Sequence, residues 1–109
     1  MMTELPAPVA EAFDATNAGD LDRFVAAFAD DGVIDDWGRE FRGRDEIAHW
    51  SRSESIGVNQ TFAVTGAREQ AGEVVVTADV GGDGFNGPST FTFRLAPDGA
   101  SIERMTITA

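Results

Sequence analysis

Apolar positions recur at helical spacing along the first half of this chain and alternate along the second. Val9, Ala12, Phe13 and Thr16 share one helical face behind Pro6 and Pro8. Those prolines suit a first turn, where a missing N–H costs nothing. Gly19 offers a helix end and Asp20 an N-cap for the next helix. Leu21, Phe24, Val25 and Phe28 then follow i, i+3, i+4, i+7, which predicts a second helix reaching Phe28. Asp30-Asp31-Gly32 reads as a turn, Val33–Trp37 as a strand, Gly38 as its corner and Glu40–Arg42 as a return. A third helix over Arg44–Glu54 carries Ile47, Trp50, Ser51 and Glu54 on one face. Residues 1–5 read as a loose terminus.

Beyond residue 58 the period changes to two. Phe62/Val64, Val74/Val76, Phe91/Phe93 and Met105/Ile107 each alternate with more polar neighbours, as strands with one buried face require. The predicted strands cover 59–68, 73–80, 89–96 and 101–108. Turns separate them at Ala71-Gly72, Gly81–Pro88 and Pro97-Asp98-Gly99. Helices first and a meander after define an α+β pattern, with the helices packed on one face of a mainly antiparallel sheet. No repeat or linker interrupts the 109 residues, so residues 1–109 read as one domain.

Composition narrows the partners. The chain carries 19 acidic and 8 basic residues, a formal net charge of −11. Every basic residue is Arg. Such a surface repels phosphate backbones and anionic lipid, so neither nucleic acid nor membrane is expected as a partner. No apolar run approaches the roughly 20 residues of a membrane helix, and no signal peptide is evident, so a cytoplasmic location is expected. With no cysteine, thiolate metal sites are excluded. A single histidine, His49, lies off the Ile47/Trp50 face, and scattered carboxylates do not make a metal site, so none is expected. No cofactor is expected.

The element order and four segments resemble the nuclear transport factor 2-like superfamily, in its SnoaL-like and ketosteroid isomerase-like branch. The segments are Asn17-Ala18-Gly19-Asp20-Leu21-Asp22, Phe28-Ala29-Asp30-Asp31, Ile34-Asp35-Asp36, and Gly43 with Ile47. The resemblance implies a cone: a strongly curved, mainly antiparallel sheet whose concave face, covered by three N-terminal helices, encloses an apolar pocket. It also implies dimerisation through the sheet. Family members include isomerases, dehydratases, cyclases, epoxide hydrolases and non-catalytic binding domains, so fold alone does not name an activity. The ketosteroid isomerase pattern carries over in part. Its general base falls on Asp36. Its helix-one Tyr falls at about Ala12 and its protonated strand acid near Phe91, so two of three catalytic parts are missing. Trp50 falls on a pocket aromatic and Met105 on a pocket Met.

Read from the residues themselves, Asp35 and Asp36 are adjacent on a strand and point to opposite faces. Whichever enters a low-dielectric pocket becomes a candidate base; the alternative is a carboxylate paired with Arg39 or Arg42. Glu54 and Ser51 are candidates for a pocket mouth. The loop Gly81-Gly82-Asp83-Gly84-Phe85-Asn86-Gly87 lacks the following helix and the cation of a phosphate cradle, and reads as a long hairpin loop with an exposed Phe85. Phe13, Trp37, Trp50, Phe62, Phe91 and Met105 read as core, part of which would line the pocket. Two functions remain open. One is a homodimeric domain binding an apolar small molecule in the cone, which accounts for the absent oxyanion donors with fewer assumptions. The other is an isomerase, dehydratase or cyclase using Asp36 as general base on a carbonyl or hydroxyl compound.

Overall fold

The computed structural model describes residues 4–108, so part of the terminus expected to be loose (residues 1–3) lies outside the described residues. Helix α1 spans Ala7–Ala18 and turns into α2, Leu21–Ala26. The Asp20 side chain accepts the backbone N–H of Arg23 at 3.2 Å, satisfying an orphan donor of the first turn. Helix α3 covers Gly43–Glu54, followed by a short 3-10 turn at Ile56–Val58.

Six strands form one sheet: β1 (Phe28–Asp36), β2 (Arg39–Arg42), β3 (Thr61–Gln70), β4 (Glu73–Gly81), β5 (Gly87–Leu95) and β6 (Ile102–Thr108). Their order is β2-β1-β6-β5-β4-β3, all antiparallel except the β1–β6 pair. The α+β class and the helical cover are as the pattern predicts. Register irregularities in the β1–β6, β3–β4 and β5–β6 pairs interrupt the ladder, and such bulges bend strands and increase twist.

Three local readings are corrected. Helix α2 stops at Ala26, and Phe28 is a fully buried residue of β1. Asp30-Asp31-Gly32 does not end an element. It occupies the irregular stretch of β1 between its pairings at Phe28 and Val33. Trp37 leaves the strand: it shares a two-residue hairpin loop with Gly38, at φ 54° and 88°, and is 65% exposed. A tight hairpin whose loop matches the strand twist requires positive φ at both positions.

Side-chain anchors tie the helices to the sheet. The Asn17 amide accepts the N–H of Phe62 at 2.7 Å and donates to its carbonyl at 3.0 Å, imitating a strand neighbour on the edge of β3. Arg44 donates from two nitrogens to the Phe28 carbonyl, fixing the start of α3 against β1. Between the layers, Phe13 meets Phe62, Phe91 and Phe93 edge-on at centroid distances of 5.4, 5.4 and 5.7 Å.

The outer face of the sheet carries an ionic network. Arg104 donates at 2.8 Å to both Asp35 and Glu40, and Arg42 reaches Glu40 at 2.8 Å. Hydrogen bonds from Arg104 and then Arg42 hold the Glu40 carboxyl below its ordinary value near 4.5. A depressed folded-state pKa contributes stability that is present above the ordinary value and lost as pH falls through the folded one. Glu40→Gln is therefore expected to be less stable than the wild type at neutral pH, with the gap closing as pH drops below about 4.5. Urea midpoints of both proteins across that range check this; a gap independent of pH would refute it.

Candidate ligand cavity

A cavity of about 390 Å³ opens between the C-terminal half of α3, the 3-10 turn and the inner sheet face. One row of side chains crosses that face in register: Asp36 on β1 stands beside Ile107 on β6, which stands beside Phe91 on β5. Ser89 lies two residues from Phe91 on the same strand, and Val80 and Phe62 continue the wall across β4 and β3. Trp50, Glu54, Ser55, Val58 and Gln60 face them from the helical side. Trp37, Arg39 and Phe85 also line the cavity, and Trp37 and Phe85 are largely exposed.

The adjacent carboxylates separate as strand geometry demands, Asp36 into the cavity and Asp35 onto the outer face. Asp35 accepts the N–H of Gly38 at 2.7 Å and an Arg104 nitrogen at 2.8 Å. The side chain of Asp36 is 14% exposed. Its Oδ2 accepts from Trp50 Nε1 at 3.0 Å and from Arg39 Nη2 at 2.6 Å. Arg39 sits directly opposite Asp36 across the hairpin and also grips Glu54, Nη1 to Oε2 at 3.0 Å and Nη2 to Oε1 at 2.7 Å. Those contacts, with the Glu54 hydrogen bond foremost, raise the Arg39 pKa further above its ordinary value. Asp36 thus lies at the wall, beside Trp50, but as an ion-paired carboxylate.

The expected pocket aromatics divide. Trp50, Phe62 and Phe91 line the cavity, and Trp37 lines it as an exposed residue rather than as core. Phe13 and Met105 lie behind the wall, around a separate void of about 10 Å³. Ser51, expected at the mouth, is fully buried and lines neither space, whereas Glu54 does line the cavity. His49 is exposed. Among the described residues, no group of three or more His, Cys, Asp or Glu is arranged to hold a metal ion.

Sequence reasoning missed Ser55, Val58, Val80, Ser89 and Ile107 of the lining, and above all Gln60. Its amide accepts the N–H of Gly84 at 3.1 Å and donates to the carbonyl of Phe85 at 3.0 Å. Asn59 adds a bond to Asp83 at 2.9 Å, and the Asp83 N–H reaches the Val58 carbonyl at 2.9 Å. The 81–87 loop is thereby docked on the 3-10 turn, with Phe85 beside the cavity. A glutamine just before a strand carries no signal of this use; only the loop's Gly and Asn content hinted that backbone groups would need partners.

Trp37 is held at a cost. A non-glycine residue in the left-handed region is disfavoured by about 1–2 kcal/mol, and Asn is better tolerated there. Trp37→Asn is therefore expected to raise stability by about 1 kcal/mol, measured by urea unfolding. Equal or lower stability would mean that the indole makes compensating contacts.

The fold and its side cavity define a class: a small α+β domain with a cavity between its sheet and the end of its third helix. The chain belongs to the SnoaL-like domain family, which matches residues 9–105. A putative polyketide cyclase from Sinorhizobium meliloti is similar at 25% identity and a TM-score of 0.81, with 95% of each chain covered. A Mycobacterium tuberculosis protein solved with estradiol-17beta-hemisuccinate is similar at 18% identity and a TM-score of 0.81, covering 97% of this chain and 95% of that one. The canthaxanthin-binding orange carotenoid protein of Anabaena (Nostoc) matches at 22% identity and a TM-score of 0.80; 98% of this chain aligns with 37% of that one. No curated protein matches the chain.

Proposed function

We propose that this domain binds an apolar small molecule in the cavity between α3 and the sheet. The observation that carries the reading is the cavity wall itself: Trp50, Phe62, Phe91, Val80 and Ile107 give its sheet side and one flank an apolar lining, beside polar groups that include Asp36, Arg39, Glu54 and Gln60. The canthaxanthin of the carotenoid neighbour is of that apolar character, and the estradiol-17beta-hemisuccinate of the other joins an apolar steroid frame to a carboxylate. Both indoles, Trp37 and Trp50, border the space, so intrinsic fluorescence reports on it directly. Titration with a neutral apolar dye such as Nile red should give saturable quenching with one site per chain. Absence of saturation up to the dye's solubility limit would end this reading.

The alternative is an isomerase, dehydratase or cyclase with Asp36 as base. Its support is the placement of a largely covered carboxylate at the cavity wall. Against it, Arg39 and Trp50 already engage Oδ2, and the helix-one Tyr and strand acid of the ketosteroid isomerase pattern are absent, where one oxyanion donor is often worth about 3 kcal/mol. Asp36-dependent deuterium incorporation next to the carbonyl of a small cyclic ketone would favour the enzyme.

The reading includes a homodimer formed through the outer sheet face, in the cytoplasm, without nucleic-acid or membrane partners. Val75 lies outside the core cluster, on the face opposite Val74 and Val76, between Arg68 and Thr92 of the neighbouring strands. Thr92–Thr106 and Thr90–Thr108 pairs extend an uncharged strip beside it. Among the described residues no helix is long and apolar enough to cross a membrane. Sedimentation equilibrium is expected to give twice the 11.6 kDa chain mass; a strict monomer would refute the dimer.

A further inference from the structure

We propose that the ligand of this cavity is a cation: a protonated amine carried on an apolar frame, with its N–H directed at Asp36. The proposal rests on the binding reading above and adds the charge of the occupant.

Three observations on the same cavity converge. First, its lining holds two carboxylates, Asp36 and Glu54, against one cation, Arg39. Arg39 gives both Nη atoms to Glu54 and Nη2 to Asp36 as well, so its charge is already shared between two anions. An incoming anion would meet a guanidinium more than compensated, whereas an incoming cation meets a net negative site. Second, hydrogen bonds to Asp36 converge on Oδ2 alone, and Oδ1 accepts none among the described residues. An oxygen on a side chain fixed by two hydrogen bonds, itself open to the cavity and free to accept, is suited to a charged N–H donor. Third, the rings of Trp37, Trp50, Phe62, Phe85 and Phe91 border the same space. Aromatic faces carry negative potential and attract ammonium groups, most strongly where water is excluded. The net charge of −11 would also concentrate cations at the mouth and favour their approach.

Trp37 is consistent with this design. A large indole held exposed at φ 54° is a poor choice for a hairpin corner and a good one for a cavity rim that stacks on a cation.

The test compares three probes of one shape: 4-phenylbutylamine, 4-phenylbutanol and 4-phenylbutyrate, titrated into the full chain at neutral pH. Tryptophan fluorescence and calorimetry are the readouts. The amine is expected to bind about tenfold more tightly than the alcohol, and the acid more weakly than either. Added salt should erode the amine's advantage. Asp36→Asn should bring the amine-to-alcohol ratio close to one. Arg39→Gln should move the ratio the other way, because it leaves two carboxylates uncompensated; general damage to the cavity would not raise it. An amine that binds no better than the alcohol, or a ratio unmoved by Asp36→Asn, overturns the cation proposal and leaves apolar binding standing. Failure of all three probes, together with Nile red, would overturn both.

Discussion

Phe13→Ala is expected to cost about 3–5 kcal/mol, enough to leave a domain of this size close to unfolding. Phe13 is 5% exposed and is the hub of the aromatic layer between α1 and the sheet, touching Phe62, Phe91 and Phe93. Truncation removes the hydrophobic transfer of the ring and leaves a hole where three edge-on partners lose their contact. That hole adjoins the small void already present behind the cavity wall, so collapse would have to draw in Phe62 and Phe91, which themselves form the wall. Phe13→Leu retains most of the volume and should cost far less, about 1 kcal/mol. Urea unfolding of the pair measures the difference. Similar losses for both, or a loss below about 1 kcal/mol for alanine, would show that Phe13 is not the keystone of this layer.

The expectation that Phe13 and Met105 line the ligand space illustrates what periodicity can and cannot reveal. Alternation put Phe91, Phe93, Met105 and Ile107 on one face, and the register confirms a shared inner face. It could not say how deep along each strand the cavity begins. Phe91 and Ile107 lie level with Asp36 and border the cavity, while Met105, level with Ile34, lies one layer deeper in the core. Depth depends on where α3 and the 81–87 loop sit, which is a tertiary fact.

The errors at Phe28 and Trp37 have different origins. Phe28 falls seven residues after Leu21, so a buried strand residue continued the helical stripe by coincidence of phase. Trp37 extended the alternation of β1, because a pattern of apolar and polar residues contains no record of φ. The opposite facing of Asp35 and Asp36 followed from strand geometry. Which one faced inward did not, until Ile34 was seen to be fully buried on Asp36's side. The Arg39–Glu54 fork joins residues 15 apart across a hairpin and a helix, and nothing local announces it. That fork decides whether Asp36 sits in its pocket as a lone carboxylate or as part of a charged cluster. It is therefore the part of the site that was least legible.

Gly57→Ala is expected to be comparably damaging, at about 3 kcal/mol or more, and to strike the cavity rather than the core. A Cβ built on Gly57 would stand 1.5 Å from the carbonyl oxygen of Arg52 and 2.5 Å from its carbon. Both are backbone atoms of the last turns of α3, so no side-chain rotation relieves the clash. Either α3 unwinds at its end or the 3-10 turn moves away by more than an ångström. The latter displaces Val58, whose carbonyl holds the Asp83 N–H, and with it Asn59 and Gln60, which dock the loop carrying Phe85. The damage should therefore spread along one contiguous unit: the end of α3, the 3-10 turn and the 81–87 loop. Hydrogen exchange of Gln60, Asp83 and Gly84 amides should accelerate in Gly57→Ala well before that of the β5 and β6 amides. Binding of a cavity probe should weaken in parallel, since Val58, Gln60 and Phe85 all line the space. Phe13→Ala should instead loosen the sheet and helices together. Uniform exchange across the sheet in Gly57→Ala, or a stability loss below about 1 kcal/mol, would show that the close pass of Gly57 over α3 is not what positions the loop.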